Sequence, residues 1–317
     1  MSLNILALSS KLTEKQLTAI SSVHEDIKIT TCKKAAAADH IADADILIAW
    51  GQTKMDDLLP LAPRLKWVHA LSAGVDDMLS PDFAESNIIL TNSSGIHGTP
   101  IAEHVLGIML ASSRGLFTAY EQQKQKLWKS LPATDEIYEK TIAIIGLGSI
   151  GRAVAKRAKS MGMTVLATKH RQTTELFVDQ LYPADEIPAA ISAADYVVVT
   201  LPLTGETRNL FTLPLFQKMK SSAYFINVSR GPIVNEGDLI TALEQNIIRG
   251  AALDVFQQEP LPDTSPLWTT PNLFITPHSA AISPYYMDRS LKIFVENLHH
   301  FLQDENMINV VNKSRGY

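Results

Sequence analysis

The run Thr141 to Gln172, TIAIIGLGSIGRAVAKRAKSMGMTVLATKHRQ, admits few folds. It joins a β-branched apolar stretch, three closely spaced glycines, a helical apolar pattern and a second apolar stretch in one unbroken unit. Ile142 to Ile145 reads as a strand, Ile150 to Met161 as a helix and Thr164 to Thr168 as the strand after it. Gly146, Gly148 and Gly151 fall in GxGxxG spacing at the first junction. Gly146 permits a tight turn, Gly148 leaves bare backbone where a pyrophosphate can approach, and Gly151 lets helix and strand pack closely. The helix start, with Ser149 and Ile150, offers free N–H groups and a positive dipole end to phosphates. The unit is expected to bind a dinucleotide, against the alternative of a plain strand-turn-helix connection.

The residues after the second strand are unusual for such a site. An NAD site calls for Asp or Glu there, to accept hydrogen bonds from the ribose hydroxyls. This chain has Lys169, His170 and Arg171, and its nearest acid, Glu175, lies beyond the strand end. Three potential cations suit a 2′-phosphate, so NADP (NADPH) is the favoured cofactor, with NAD possible. A solvated basic loop is the other reading, because Lys and Arg are mostly exposed in any case.

Apolar strands alternate with helical patterns almost throughout, as in parallel sheets covered by helices. At 317 residues the length favours two domains. Strands are expected near Ile5–Leu8, Ile27–Thr31, Ile46–Trp50, Trp67–Ala70 and Ile88–Thr91, and again at Tyr196–Thr200, Tyr224–Val228, Ala251–Val255 and Leu273–Thr276. Thr99 reads as an N-cap with Pro100 at the first helical position, opening a long helix through about Tyr120. The fold expected is α/β, with two doubly wound parallel-sheet domains: a Rossmann nucleotide-binding domain and a flavodoxin-like substrate domain. A net charge of −5 argues against a nucleic-acid surface. The lone Cys32 cannot form an internal disulfide, and no paired Cys/His spacing suggests a metal. The N-terminal residues lack the pattern of a secretory signal, and no run is long and apolar enough to span a membrane. A cytoplasmic protein with no membrane or nucleic-acid partner is expected.

Open α/β sheets bind ligands past the C-terminal ends of their strands. Those ends carry Leu201-Pro202 with Thr207 beyond them, Val228-Ser229-Arg230, Asp254 with Glu259, and Pro277-His278. One Arg, one Glu and one His are thus expected at the nicotinamide end.

These segments resemble the D-isomer-specific 2-hydroxyacid dehydrogenases over nearly the whole chain. NSSGIHGTPIAEHVLGIML resembles the family's linking-helix signature, IAIIGLGSIG its nucleotide turn, and VTLPLTGETRNLF and FINVSRGPIVNEGDLITAL its second and third signatures. ALDVFQQEPLPDTSPLW and ITPHSA resemble its closing acid and histidine segments. The resemblance implies a catalytic set of Arg230, Glu259 and His278. Beside Gly146, Gly148, Ser149, Ile150, Gly151 and the bases Lys169, His170 and Arg171 read above, the expected cofactor set takes in Thr99, Leu201, Pro202, Thr207, Val228, Ser229 and Asp254, and the resemblance puts Asp254 at the nicotinamide carboxamide. Leu71, Ser72, Ala73 and Gly74 resemble the loop whose backbone N–H groups bind the substrate carboxylate, together with Arg230 and His278. A discontinuous substrate domain of residues 1–97 and 284–317 is implied, around a dinucleotide domain of 98–283. A homodimer through the nucleotide domains is implied as well.

Side-chain chemistry supports the same assignment. A histidine with an ordinary pKa can donate the proton that a reduced carbonyl oxygen needs, and an acid on its other nitrogen fixes the tautomer. The planar fork of Arg230 can hold carboxylate and carbonyl together. The partner is a small 2-keto or 2-hydroxy acid, with glyoxylate, hydroxypyruvate, pyruvate and larger keto acids all open. Trp50, Met55, Tyr285, Tyr286 and Met287 are candidates to wall its pocket. The end at Tyr317, without a regulatory domain, argues against the long phosphoglycerate dehydrogenases. A corepressor-like binding protein and a formate dehydrogenase are the competing classes. The intact Arg, Glu and His weigh against the first, and the missing Gln of the second weighs against that one.

Overall fold

The computed structural model describes residues 2–9, 12–131 and 134–314. It divides into one unit of Met1–His97 with Ser283–Tyr317, and a second of Gly98–Ile282.

In the first unit β1 (Leu3–Ala7), β2 (Ile27–Thr31), β3 (Ile46–Ala49), β4 (Trp67–Ala70) and β5 (Ile89–Asn92) form a parallel sheet in the order β2-β1-β3-β4-β5. Strands buried on both faces need apolar residues at every position, as in the ILIA of β3. Side chains alternate between faces. Leu6, Leu47, Ala49, Val68 and Ala70 therefore build one core, and Ile5, Ala7, Ile46, Ile48 and Trp67 another. The second core is closed by Leu291, Phe294 and Leu298 of the helix Tyr286–Leu302, with Phe294 stacked on Trp67 at 4.9 Å between ring centroids.

The second unit is also a parallel sheet. Its strands are β6 (Thr141–Ile145), β7 (Thr164–Thr168), β8 (Gln180–Tyr182), β9 (Tyr196–Val199), β10 (Tyr224–Asn227), β11 (Gly250–Leu253) and β12 (Leu273–Ile275), ordered β12-β11-β10-β9-β6-β7-β8. The order reverses between β6 and β9, which opens a ligand crevice at their C-terminal ends. Ala143 and Ile145 face one core while Ile142 and Ile144 face the other.

Two expectations are corrected. The long helix is two, Gly98–Ser113 and Leu116–Lys124, broken at Gly115, whose φ of +66° no right-handed helix accommodates. The first of them starts at Gly98, so Thr99 lies inside its first turn and does not stand ahead of it as an N-cap. Among the described residues no helix is long and apolar enough to cross a membrane.

Candidate active site

The glycine turn leaves β6 at Gly146, with φ of +100°. A Cβ on Gly146 would stand 2.8 Å from Leu201, and one on Gly151 would stand 2.7 Å from the Gly146 carbonyl oxygen. These two contacts are full. A Cβ on Gly148 would meet nothing within 4 Å, so the turn is open on that side. The helix Ser149–Ser160 begins there with no side-chain cap on its first N–H groups. Bare backbone beside uncapped donors fits a pyrophosphate. Thr200 Oγ1 donates to the Gly146 carbonyl at 2.6 Å and fastens the turn to the end of β9. Next along that edge, the Thr207 hydroxyl donates to the Pro202 carbonyl at 2.7 Å and shapes the turn after Leu201.

Of the three bases after β7, one is already held by an acid. Lys169 Nζ is 2.7 Å from Glu175 Oε1, while His170 and Arg171 are exposed.

Strands β10, β11 and β12 are neighbours in register, Asn227 opposite Leu253 and Leu253 opposite Ile275, so the turns that follow them share one edge. The first turn is tied by the buried Asn227. Its Oδ1 accepts from the Ser229 hydroxyl (2.7 Å), its Nδ2 donates to the Arg230 carbonyl (3.1 Å), and the next residue along is Val228, itself buried. Arg230 Nη1 donates to the Ser229 carbonyl at 2.9 Å. Gly231 then presses on the turn after β11, since a Cβ there would be 1.9 Å from the Phe256 carbonyl carbon.

Glu259 and His278 meet directly, with His278 Nδ1 2.6 Å from Glu259 Oε2. The other oxygen, Oε1, accepts from the Phe256 N–H at 2.9 Å, which fixes the carboxylate. A carboxylate can only accept, so Nδ1 carries the hydrogen and Nε2 points away from Glu259. The His278 side chain is 51% exposed, open to a substrate. Its backbone has φ of +50°, an uncommon region for a residue with a Cβ, and its N–H donates to the Asp254 carbonyl at 2.8 Å.

Asp254 explains how that conformation is held. Its carboxylate accepts from Thr276 Oγ1 (2.6 Å) and from the N–H groups of Ser279 (2.8 Å) and Ala280 (3.0 Å). Since the Thr276 hydroxyl donates to Asp254, it accepts from His104 Nε2 at 3.3 Å. Burial holds His104 below the usual histidine range, against the pull of Asp254. Asp254 therefore anchors the turn that carries His278. Thr276 and His104 were not expected in this role, although both lie within segments that the sequence singles out.

In the first unit, Leu71–Gly74 follows β4 with all four carbonyls engaged. Leu71 O accepts from Tyr286 Oη (2.9 Å), Ser72 O from the Ser93 N–H (3.1 Å), Ala73 O from Asn92 Nδ2 (2.7 Å) and Gly74 O from the Ser72 hydroxyl (2.8 Å). Among the described residues, the N–H groups of Ser72, Ala73 and Gly74 meet no acceptor. Carbonyls bound and amides free make a ready anion cradle. Gly51 backs it: its N–H donates to Ser72 Oγ (3.0 Å), and a Cβ there would stand 2.0 Å from Gly74 O. A glycine two residues past β3, at the sheet's switch point, was the available signal for it. Of the expected pocket residues, Met55 is core, Tyr285 is exposed, and Tyr286 packs on Trp50 while holding Leu71.

Among the described residues, no group of three or more His, Cys, Asp or Glu is placed to hold a metal. Residues 106–280, more than half of the chain, match the family model described as "D-isomer specific 2-hydroxyacid dehydrogenase, NAD binding domain". The chain belongs to that family. It is an oxidoreductase of the 2-hydroxyacid dehydrogenase type with an NAD(P)-binding domain. It is 34% identical over 283 residues to a glyoxylate/hydroxypyruvate reductase B of Escherichia fergusonii, covering 86% of each chain. It is 32% identical to a D-3-phosphoglycerate dehydrogenase of Methanocaldococcus jannaschii over 97% of its own length, and it spans 59% of that relative. A solved NADPH-dependent glyoxylate/hydroxypyruvate reductase from Sinorhizobium meliloti, in complex with NADP and sulfate, superposes with a TM-score of 0.86 at 26% identity, covering all of both chains.

Proposed function

We propose that this protein reduces a small 2-keto acid, glyoxylate or hydroxypyruvate first, to the D-2-hydroxy acid, with NADPH preferred over NADH. The His278–Glu259 pair carries the reading. It puts a histidine with a fixed tautomer at the strand edge that also bears Arg230. The cradle at Gly146–Gly151 fits the dinucleotide, and Ser149, Ile150, Leu201, Pro202, Thr207, Val228, Ser229 and Thr99 complete its surroundings in this reading. When bound, the reduced nicotinamide supplies a hydride to the substrate carbonyl carbon. His278 Nε2 gives a proton to the carbonyl oxygen, and Glu259 on Nδ1 stabilises the charged ring. Arg230 grips the substrate carboxylate and the carbonyl oxygen as charge develops there. The free N–H groups of Ser72, Ala73 and Gly74 bind the carboxylate.

The cofactor preference rests on Lys169, His170 and Arg171, none of which can accept a hydrogen bond from the ribose hydroxyls when charged. A charge-assisted hydrogen bond contributes about 1.5–3 kcal/mol, so kcat/KM should favour NADPH by about tenfold or more. Assaying a panel of 2-keto acids with each cofactor tests both claims. Activity on no keto acid overturns the reaction, and equal or better values with NADH overturn the preference.

A homodimer through the nucleotide-binding unit belongs to the same proposal. Leu116, Tyr120, Leu127 and Trp128 are exposed along one segment of that unit, Trp128 fully so. Paired substitutions Tyr120→Glu and Trp128→Glu should convert a dimer to a monomer in sedimentation velocity. A wild-type monomer would sink the idea. The unpaired Cys32 is at ease in a reducing cytoplasm, where we place the protein.

A further inference from the structure

We infer that Glu175 is an internal competitor for the cofactor's 2′-phosphate, and that its carboxylate sets how far the protein discriminates between 2′-phosphorylated and unphosphorylated dinucleotides. The inference rests on the dinucleotide site proposed above. Arg152 follows Gly151 directly, in the first turns of the helix that leaves the glycine cradle, and Lys169 follows β7 directly. Both flank the glycine cradle, because β6 and β7 are paired in register with Ile145 opposite Thr168. Both are already held by one carboxylate. Glu175 Oε2 accepts from Arg152 Nε at 2.8 Å, and Oε1 accepts from Arg152 Nη2 at 2.7 Å and from Lys169 Nζ at 2.7 Å.

The loop is folded to make this contact. Gln172 Nε2 donates to the Lys169 carbonyl at 2.9 Å, and Thr173 Oγ1 lies 3.0 Å from Glu175 Oε1 and 2.8 Å from Lys169 Nζ. Arg152 and Lys169 hold the Glu175 carboxyl down to about 2, so it is charged at any working pH.

An arginine fork grips carboxylates and phosphates in the same two-point geometry. The seat that a 2′-phosphate needs on Arg152 and Lys169 is therefore the seat that Glu175 occupies. A 2′-phosphate must displace that carboxylate or share the cations with a like charge. A ribose 2′-hydroxyl carries no charge and faces neither obstacle. When only a fraction of molecules have the seat free, apparent affinity falls by that fraction. The selectivity of the wild-type protein is accordingly smaller than its three loop bases suggest.

Adenosine 2′,5′-bisphosphate and 5′-AMP probe this site without the nicotinamide, and their binding is read by calorimetry. Glu175→Gln keeps the side-chain size and removes the charge. It should tighten the bisphosphate and NADPH by about tenfold, the worth of one charge-assisted hydrogen bond, and change 5′-AMP and NADH by less than about twofold. Glu175→Ala, which adds no amide, should move the same way and serves if the Gln variant does not fold. Unchanged or weaker bisphosphate binding in both overturns the inference, because Glu175 would then be supporting the cations. A selective loss of NADH or 5′-AMP affinity overturns it too, by making Glu175 the acceptor of the ribose hydroxyls. The preference proposed above fails separately. A wild-type protein that favours NADH, with variants that turn toward 2′-phosphates, refutes that preference and upholds the competitor.

Discussion

His278→Ala should lower kcat by about 10²–10⁴, the range for removing a positioned general acid, while NADPH binding stays within about twofold. His278 Nδ1 is committed to Glu259 at 2.6 Å and its backbone to the Asp254 carbonyl, so the ring has a fixed direction, and among the described residues its Nε2 meets no partner. Alanine removes the proton donor and leaves the turn, because Asp254 anchors that turn through Thr276, Ser279 and Ala280 and not through the imidazole. The loss should therefore appear in kcat at saturating substrate and not in the thermal midpoint. A variant that keeps most of its kcat would take His278 out of the mechanism.

Gly51→Ala should cost kcat/KM about 10², carried mainly by KM for the keto acid. The new methyl would lie 2.0 Å from Gly74 O and 2.2 Å from Ser72 Oγ, distances that no side-chain adjustment relieves because the first atom is backbone. The loop must shift, and misplacing a binding group by about 1 Å can cost that much. Overpacking of this kind also destabilises by about 1–3 kcal/mol, so steady-state kinetics should be measured well below the thermal midpoint. NADPH affinity should hold, since the cofactor cradle lies in the other unit. An unchanged KM would mean that Leu71–Gly74 does not bind the carboxylate.

Much of the architecture could be read from the chain because strands buried on both faces are continuous apolar runs. Trp67–Ala70 and Thr164–Thr168 fall where those runs stand, and the edge strand Ile27–Thr31 shows instead the alternation of a half-exposed strand. Most of the other expected strands ended a residue early, where the chain leaves the ladder, as at Val199 and Asn227. Gln180–Tyr182 went unread because a three-residue edge strand has too few positions to show a period. The helix break at Gly115 was hidden because apolar spacing continues across it. At the candidate site, motif spacing pointed to Arg230, Glu259 and His278 but not to what holds them. Tyr286 reaches Leu71 across 215 residues and His104 reaches Thr276 across 172, and no local pattern encodes such partners. The capture of Lys169 by Glu175 was invisible for another reason. Counting charges along a loop does not say which of them face each other.

The core that Trp67 shares with Phe294 has a consequence for the order in which this chain can fold. Ile5, Ile46, Ile48 and Trp67 emerge early from the ribosome, but Leu291, Phe294 and Leu298, which cover them, come from the last helix. At about 5–20 residues per second, the roughly 190 residues between His97 and Tyr286 take on the order of 10–40 s to synthesise. The inserted unit Gly98–Ile282 has all of its strands by then, so it can finish folding before the unit that began first. Throughout that interval the nascent first sheet presents one bare apolar face, a surface on which chaperones would act.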